Sequence, residues 1–199
     1  KNIDHGKAFD WGKTSEDYAK YRDIYPKEFY ATLAELSLGG KGQNVLDLGT
    51  GTGVIPRNMY SYGAKWTGAD ISENQIMYAE KLSKSAGMDI DYIVASAEAV
   101  DYPDRTFDVI TACQCFMYFD KSVVLPKLHH ILKDYGHFSI LFMAWLPEES
   151  EIAKRSENLV LKYNPAWTGG RVTRYELQEP PWCEGMFKAA NMLTYELPV

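Results

Sequence analysis

The sequence predicts an α/β fold in which a doubly wound, mostly parallel sheet carries helices on both faces. Short apolar runs alternate along the chain with segments of helical period, which is the pattern that βαβ units produce. The first apolar run leads into glycines at every second position, in "VLDLGTGTG" at residues 45–53. The second run, "AKWTGAD", ends on an acid, Asp70. In a parallel sheet of this kind both features lie at the carboxyl edge, where ligands bind.

Each element is predicted from its apolar period and its boundary residues. Pro26 suits a first helical turn, and Gly39 and Gly63 are typical of helix ends. Ser72 and Gln75 form the capping box of a clear helix. In chain order, the predicted elements are a helix over 26–38, a strand over 43–49, a helix over 54–63, a strand over 64–70, a helix over 72–87, strands over 89–97 and 106–113, a helix over 121–136, a strand over 137–145 and a helix over 147–163.

The composition predicts a single domain over residues 1–199. Of these residues 46% are hydrophobic, enough for one good-sized core. The net charge of -6 offers no basic face to a nucleic acid, and no apolar run approaches the ~20 residues of a membrane span. The three cysteines are an odd number without a CxxC pair. They favour a reduced, cytoplasmic compartment and argue against a disulfide framework or a zinc site; no metal is expected.

Three parts are predicted within that domain. N-terminal cap helices occupy residues 1–40, the core sheet 41–145, and an irregular or helical insertion 146–191 that could cover a substrate. The final residues, "MLTYELPV", alternate apolar and polar positions as a strand does. Because a domain rarely ends on a strand without a partner, we expect the natural chain to continue past Val199, so that the fold is truncated at its C-terminus.

The glycines at 49, 51 and 53 let a ligand approach bare backbone. Glycine loses the most conformational entropy on folding, so this spacing needs a structural reason. Amides of such a loop, and the start of the helix after it, carry positive partial charge and favour a carboxylate or a phosphate. A tight strand-to-helix turn is the simpler alternative. A dinucleotide fingerprint, GxGxxG, would need glycine at position 54, where the chain has Val54.

The order GxGxG, preceded by Asp47, resembles motif I of the class I S-adenosylmethionine (SAM)-dependent methyltransferases. "VASAEAVDYPDRTFDVI" is similar to the segment of that family between the third and fourth strands. "CQCFMYFD" resembles its lining of the methionine end of the cofactor, and "FDWGKTSEDYAKYRDIYP" the N-terminal cap of its small-molecule members. The resemblance covers about residues 8–145. It implies a Rossmann-like sheet of seven strands, of which five or six are recognisable here.

The resemblance implies SAM as cofactor, S-adenosylhomocysteine (SAH) as product and a set of cofactor contacts. Asp70 would accept the ribose hydroxyls, a role that NAD enzymes share, or serve as an acid at a helix start. Asp47 would contact the ligand or orient the loop, and Gln75 is a capping residue first. Ser96 stands where the family often has Asp, a stronger acceptor for adenine. The implied contacts are Tyr18, Tyr21, Arg22, Asp47, Gly49, Thr50, Gly51, Gly53, Asp70, Ile71, Gln75, Ser96, Ala97, Glu98, Cys113 and Gln114.

The predicted function is transfer of a methyl group from SAM to a small-molecule acceptor by in-line displacement. The sulfonium already activates the methyl group, so the protein has to align the reactants and exclude water. For this reason no catalytic residue is singled out. The atom that receives the methyl group stays open, although the Asn-Pro-Pro-aromatic motif of many amino-group methyltransferases is missing after the fourth strand. The alternative is a SAM- or adenosine-binding module without transfer activity that acts through a partner. An NAD-dependent oxidoreductase is disfavoured by Val54.

Overall fold

The computed structural model describes residues 14–21, 25–143 and 146–167. The chain divides into two compact units, and the division falls between Leu141 and Phe142. The first unit contains the whole sheet, while the described part of the second contains one helix. None of the helices described is long and apolar enough to cross a membrane.

The helices and strands follow the predicted alternation, which confirms the α/β fold. Short 3-10 turns lie at Tyr60–Tyr62 and at Phe116–Tyr118. The elements described are α1 Ser15–Tyr21, α2 Lys27–Glu35, β1 Asn44–Leu48, α3 Val54–Met59, β2 Lys65–Asp70, α4 Glu73–Ser85, β3 Asp91–Val94, β4 Phe107–Cys113, α5 Lys121–Ile131, β5 Leu132–Leu141 and α6 Glu151–Tyr163.

The five strands form one parallel sheet in the order β3-β2-β1-β4-β5. Strand β1 is central, and its Val45 lies beside Trp66 of β2 and Val109 of β4. The chain runs outward from β1 through β2 and β3 and then returns to the other side for β4 and β5. The strand order therefore reverses between β1 and β4, which is where doubly wound sheets bind their ligands. The glycine loop leaves β1 at this point.

The central strands are buried on both faces, which explains why they read as almost continuous apolar runs. Val45 and Leu46 of β1 have no exposed surface. On one face, Leu33 of α2 and Met59 of α3 join a cluster around Trp66. Burial of each large side chain contributes roughly 1.5–3 kcal/mol. This core fixes the position of β1 and therefore the start of the loop.

The boundary between α5 and β5 differs from the prediction. The sequence predicts a helix to residue 136 and a strand from 137, but α5 ends at Ile131 and β5 begins at Leu132. Leu132 continues the apolar period of the helix, yet it pairs with Phe107 of β4. His137 pairs with Val109, so β5 contains an irregularity between these two pairs. The buried Leu132 therefore fits the sequence pattern of a helix and that of a strand, and only its pairing with β4 makes it part of the strand.

The second unit begins its helix with a side-chain cap. Ser150 accepts a hydrogen bond from the amide of Ala153, which satisfies one of the free donors of the first turn. Near the other end, Trp167 Nε1 donates to Glu157 at 3.0 Å, and this pairs the buried carboxyl of Glu157. The predicted insertion after residue 167 and the predicted terminal strand lie outside the described residues.

Candidate functional site

The loop after β1 has a backbone that glycine makes possible. Gly49, Gly51 and Gly53 have φ angles of 63°, 57° and 75°, in the left-handed region that other residues avoid. The two threonines between them, Thr50 and Thr52, are buried. The amide of Thr50 donates to the carbonyl of Ala69 in β2 at 3.0 Å. The glycines thus turn the chain tightly while the backbone amide of Thr50 anchors it to β2.

The loop is closely backed at its two ends and open in its middle. A Cβ on Gly49 would lie 2.7 Å from Sγ of Cys115, and one on Gly53 would collide with the hydroxyl of Tyr92. A Cβ on Gly51 would instead meet only Gln75 Oε1 and a ring carbon of Tyr18, each at 3.9 Å. The open position is therefore Gly51, where a ligand can approach the backbone.

Asp70 lies directly beside this open position. Its Oδ2 accepts from the amide of Gly51 at 2.8 Å, and its Oδ1 accepts from the amide of Ser72 at 2.9 Å. Partial burial raises the pKa of the Asp70 carboxyl, although the amide donors oppose the rise. Two carboxylate oxygens offer about four acceptor positions. Asp70 can thus hold the loop and still accept donors from a ligand.

Asp47 is buried beneath the loop rather than at its surface. Only 1% of its surface is exposed, and its Oδ1 accepts from the hydroxyl of Thr111 at 2.7 Å. Burial raises the pKa of Asp47 to about 6, and the hydrogen bond from the hydroxyl of Thr111 acts in the opposite direction. Of the two roles that the sequence leaves open for Asp47, this position favours orienting the loop.

Cys115 is a residue of this site that sequence reasoning missed. Its Sγ donates to the carbonyl of Leu48 at 3.1 Å and covers Gly49. Burial raises the pKa of the thiol, and the nearby Asp47 adds to the rise. The adjacent Gln114, a predicted contact, has φ 59° and donates its amide to the carbonyl of Leu141. A glycine at position 49 indicated that some residue packs closely against the backbone there. The sequence does not show which strand that residue follows.

The predicted adenine contacts lie in different surroundings. Ile71 is 68% exposed next to Asp70, whereas Ala97 is buried and Ser96 half-buried. Glu98 is engaged within the protein, because its Oε1 accepts from the amide of Asp120 at 2.9 Å at the start of α5. The structure therefore leaves an apolar surface at Ile71 for a flat ring, while Glu98 supports α5.

The N-terminal helix brings one predicted contact to the loop. Tyr18 of α1 is the ring that faces Gly51, as described above. Tyr21 is 65% exposed, with the ammonium of Lys20 over its ring. Cys113 of β4 lies with its Sγ 3.4 Å from the hydroxyl of Tyr25. Arg22 lies outside the described residues.

These features are compatible with SAM. Asp70 has free acceptor positions for ribose hydroxyls, and Ile71 offers an exposed apolar surface beside it. The space in front of Gly51 would be filled by any side chain, so glycine here leaves room for a ligand. Two carboxyl groups, Asp47 and Asp70, add a negative field, which suits a cofactor with a positive sulfur.

Comparison with known proteins shows which proteins the chain is similar to. Residues 45–136, from β1 into β5, match a family model described as a methyltransferase domain. The chain is 28% identical over 177 residues to the ubiquinone biosynthesis O-methyltransferase of Pseudomonas entomophila, an alignment that covers 84% of this chain and 75% of that protein.

Solved structures share the fold. A SAM-dependent methyltransferase from Aquifex aeolicus has a TM-score of 0.59 and 19% identity, with 79% of this chain and 89% of that chain covered. A protein from Methanococcus maripaludis has a TM-score of 0.63 and 16% identity, with 83% and 77% covered. At these identities the likeness concerns the fold alone, and it confirms the Rossmann-like arrangement.

Proposed function

Given that this chain is a class I SAM-dependent methyltransferase, we propose that it methylates a hydroxyl group on a small, largely apolar acceptor. The enzyme class comes from the family match and from relatives that are named as methyltransferases, and SAM is the cofactor of that class. These relatives give no support to the alternative of a binding module without transfer activity. The proposal concerns the acceptor and the residues that hold the cofactor.

One observation supports an apolar acceptor. The turn directly after β4 exposes two large side chains, Met117 and Tyr118, at 40% and 54%. Phe116 of the same turn is buried and packs edge-on against Phe119 and Phe138. This turn follows Cys115, which covers Gly49, so the exposed pair lies at the same edge of the sheet as the loop. Exposed apolar residues grouped at a binding edge indicate an apolar ligand.

The choice of oxygen rests on the relatives. The Pseudomonas protein is named as an O-methyltransferase of ubiquinone biosynthesis, and the wider set of relatives includes others of that name. For this chain we propose a hydroxyl whose own acidity is sufficient, such as a phenol. The histidines of the described residues are His129 and His130 in the last turn of α5 and His137 in β5, and the exposed turn after β4 contains none.

The residues of the chain position the reactants. When bound, SAM supplies a methyl group on a positive sulfur, which leaves as a neutral thioether. We propose that Asp70 accepts the ribose hydroxyls and that Ile71 and Ala97 flank the adenine. The backbone at Gly51 then faces the amino-acid end of the cofactor, under the ring of Tyr18. Placing both reactants in a fixed geometry is the main source of rate acceleration in such a displacement. The division into one domain and the cytoplasmic location remain predictions.

A panel of acceptors tests the proposed oxygen. Purified protein is incubated with methyl-labelled SAM and three matched compounds that share an apolar tail but end in a phenol, a primary amine or a thiol. We expect the label to enter the phenol, and SAH to suppress it because SAH competes with SAM. Transfer to the amine or the thiol in preference to the phenol would contradict the proposal.

Asp70 is tested by substitution. We expect Asp70→Ala to weaken SAM binding by about 10- to 150-fold, because buried ribose hydroxyls would lose a charged acceptor and the loop would lose a bond to Gly51. Calorimetric titration measures the change. The control is Asp91→Asn, which removes a negative charge at the amino end of β3, on the opposite edge of the sheet. Equal affinity of the Asp70 variant and the unchanged protein would remove Asp70 from the site.

A further inference from the structure

Thr111 and Asp47 form a buried polar pair behind the cofactor loop. They face each other in the register of β4 and β1, and neither has more than 1% of its surface exposed. The hydroxyl of Thr111 donates to Asp47 Oδ1 at 2.7 Å. Among the ion pairs of the described residues, none involves Asp47. The carboxyl therefore depends on hydroxyl donors for both its orientation and its charge.

Three titratable groups near Asp47 come from other parts of the sheet. Asp70 approaches from the end of β2, Tyr92 from β3 and Cys115 from the segment after β4. A charge on Asp70 opposes a charge on Asp47, and burial raises the pKa of both the Tyr92 hydroxyl and the Cys115 thiol, so these two stay neutral. Thr111 is the donor with a short, well-defined bond to the carboxyl. Removing it should leave the charged carboxylate much less favourable.

We propose that Thr111 is a positioning residue for the cofactor: its hydroxyl holds the Asp47 carboxylate charged and aimed beneath the loop, where it attracts the positive sulfur-containing ligand. The inference rests on SAM as the cofactor but not on the nature of the acceptor. Strand β4 would thus contribute to cofactor binding through Thr111, a residue that does not touch the ligand. The proposal also predicts that SAM binding releases a proton at mildly acidic pH, where part of Asp47 is still protonated, since a cation favours the ionised form of Asp47.

The effect of losing the hydroxyl has a definite sign. The ordinary pKa of Asp is near 3.8, and burial raises the pKa of Asp47 to about 6 while Thr111 holds it down. Without Thr111 the pKa should rise further, so that more of the protein carries a neutral Asp47 at pH 7. SAM affinity should then fall near neutral pH and return as the pH rises and the carboxyl ionises.

The experiment compares Thr111→Val, which keeps the shape but loses the donor, with Thr111→Ser, which keeps the donor. Carbon-13 NMR of the Asp47 carboxyl in the ligand-free protein gives its titration midpoint, and titration calorimetry from pH 5 to pH 9 gives the affinities for SAM and SAH. We expect Thr111→Val to raise the midpoint by about one pH unit. SAM binding should then weaken about 2-fold at pH 7 and about 5-fold at pH 6, with recovery at pH 9. Thr111→Ser should behave like the unchanged protein.

An Asp47→Asn background supplies the matched control. Nothing at position 47 titrates there, so adding Thr111→Val should no longer change the pH dependence. A Thr111→Val protein that has the original Asp47 midpoint, or that loses SAM affinity equally at every pH, would overturn the proposal. If the unchanged protein bound no SAM, the cofactor assignment and the proposal would fail together, whereas normal SAM binding with a flat response to Thr111→Val overturns the proposal alone.

Discussion

At the scale of single residues, Asp47 and Asp70 show how surroundings give one side-chain type two roles. Asp70 is half-buried, receives two backbone amides and keeps positions open for a ligand. Asp47 is buried and receives a hydroxyl from another strand. Burial raises the pKa of both carboxyls. The difference is that Asp70 can reach a ligand, while Asp47 acts through the loop that covers it.

Burial of Asp47 should make the protein less stable at neutral pH than at low pH. The pKa of Asp47 is about 6 when folded against an ordinary 3.8, so the folded state retains its proton between these values while the unfolded state has lost it. The stabilising contribution of the protonated form is complete below about pH 4, falls between about pH 4 and 6, and is absent above. We expect Asp47→Asn to raise the free energy of unfolding at pH 8 by up to about 3 kcal/mol.

Urea unfolding at pH 8 and pH 4 measures this difference. The two proteins should differ by less than about 1 kcal/mol at the lower pH, where Asp47 is neutral in the folded state and only partly ionised in the unfolded state. The same substitution should weaken SAM binding, so stability and binding move in opposite directions. A variant that is no more stable at pH 8 would mean that the donors around Asp47 already offset its burial.

The sequence could predict the residues at the loop but not those behind it. Gly51 and Asp70 are recognisable because a short motif and a strand end place them. Tyr92 and Cys115 contact the same loop from β3 and from the segment after β4, and Thr111 of β4 contacts Asp47 behind it. Their contacts join residues that are distant along the chain, and a Thr, Tyr or Cys in an apolar strand looks like ordinary core. Only the strand order brings them to the loop.

At the scale of elements, the loop is a short piece of backbone pressed between neighbours. The ring of Tyr92 crosses from β3 over Gly68 of β2 to reach Gly53, and its hydroxyl lies 3.0 Å from Ser83 Oγ of α4. Burial raises the pKa of Tyr92 to about 12. A neutral hydroxyl at this point links α4, β3 and the start of α3. The two glycines are the residues that make room for it.

The packing at Gly53 can be separated from its backbone angle. Gly53 and Gly87 have similar φ angles of 75° and 68°, but a Cβ on Gly87 would meet nothing within 4 Å. We expect Gly87→Ala to lower the free energy of unfolding by about 1–2 kcal/mol through backbone strain alone. Gly53→Ala should cost a further 1–3 kcal/mol, roughly the range of overpacking, and should also weaken SAM binding.

Denaturant unfolding and calorimetric titration of the two variants give both quantities. Tyr92→Leu in the Gly53→Ala background should recover part of the lost stability, because the hydroxyl that meets the new Cβ is then gone. Equal losses at both glycines would show that the contact with Tyr92 has no energetic weight.

Element boundaries were the less predictable part of the fold. The capped start of α4 at Ser72 and its end near Gly87 agree with the sequence, because a cap and a glycine are local signals. The end of α5 does not agree. Leu132 has the spacing of a helix residue, but it pairs with Phe107 as a strand residue. A local sequence pattern cannot show such a pairing, because the two residues are far apart along the chain.

At the scale of the whole molecule, the negative charge of the protein distinguishes the methyl donor from its product. The chain carries a net charge of -6, and two of its acids lie at the cofactor loop. SAM has a positive sulfur that SAH lacks. Long-range attraction should therefore act on SAM more than on SAH, which helps the product to leave.

This difference should depend on salt. The screening length is about 10 Å at 0.1 M salt and about 3 Å at 1 M. We expect SAM affinity to fall several-fold between low and high salt, while SAH affinity changes little. Calorimetric titration of both ligands at a series of sodium chloride concentrations makes the comparison. Parallel loss of both affinities would show that the charge at sulfur is not what the protein attracts.

The overall topology was more predictable than its details. A chain of alternating strands and helices can form only a few sheet topologies, because the crossovers between parallel strands are right-handed. The glycine loop also identifies the first strand. Each of the five strands described overlaps a predicted strand, although β5 begins at Leu132 and not at the predicted residue 137. The acceptor was not predictable, because it depends on side chains at loop ends, such as Met117 and Tyr118, whose exposure follows only from the packing of β4 and β5.

The central position of β1 in the sheet affects how the enzyme folds during its synthesis. Thr111 follows Asp47 by 64 residues, and Cys115 comes later still. While a ribosome has released only the first three strands, Asp47 lacks the hydroxyl of Thr111 and Gly49 lacks the cover of Cys115. A ligand that binds only the completed sheet draws the folding equilibrium toward it. The amount of folded enzyme in a cell should thus rise and fall with the supply of its methyl donor, which the lifetime of the protein in methionine-fed and methionine-starved cells would reveal.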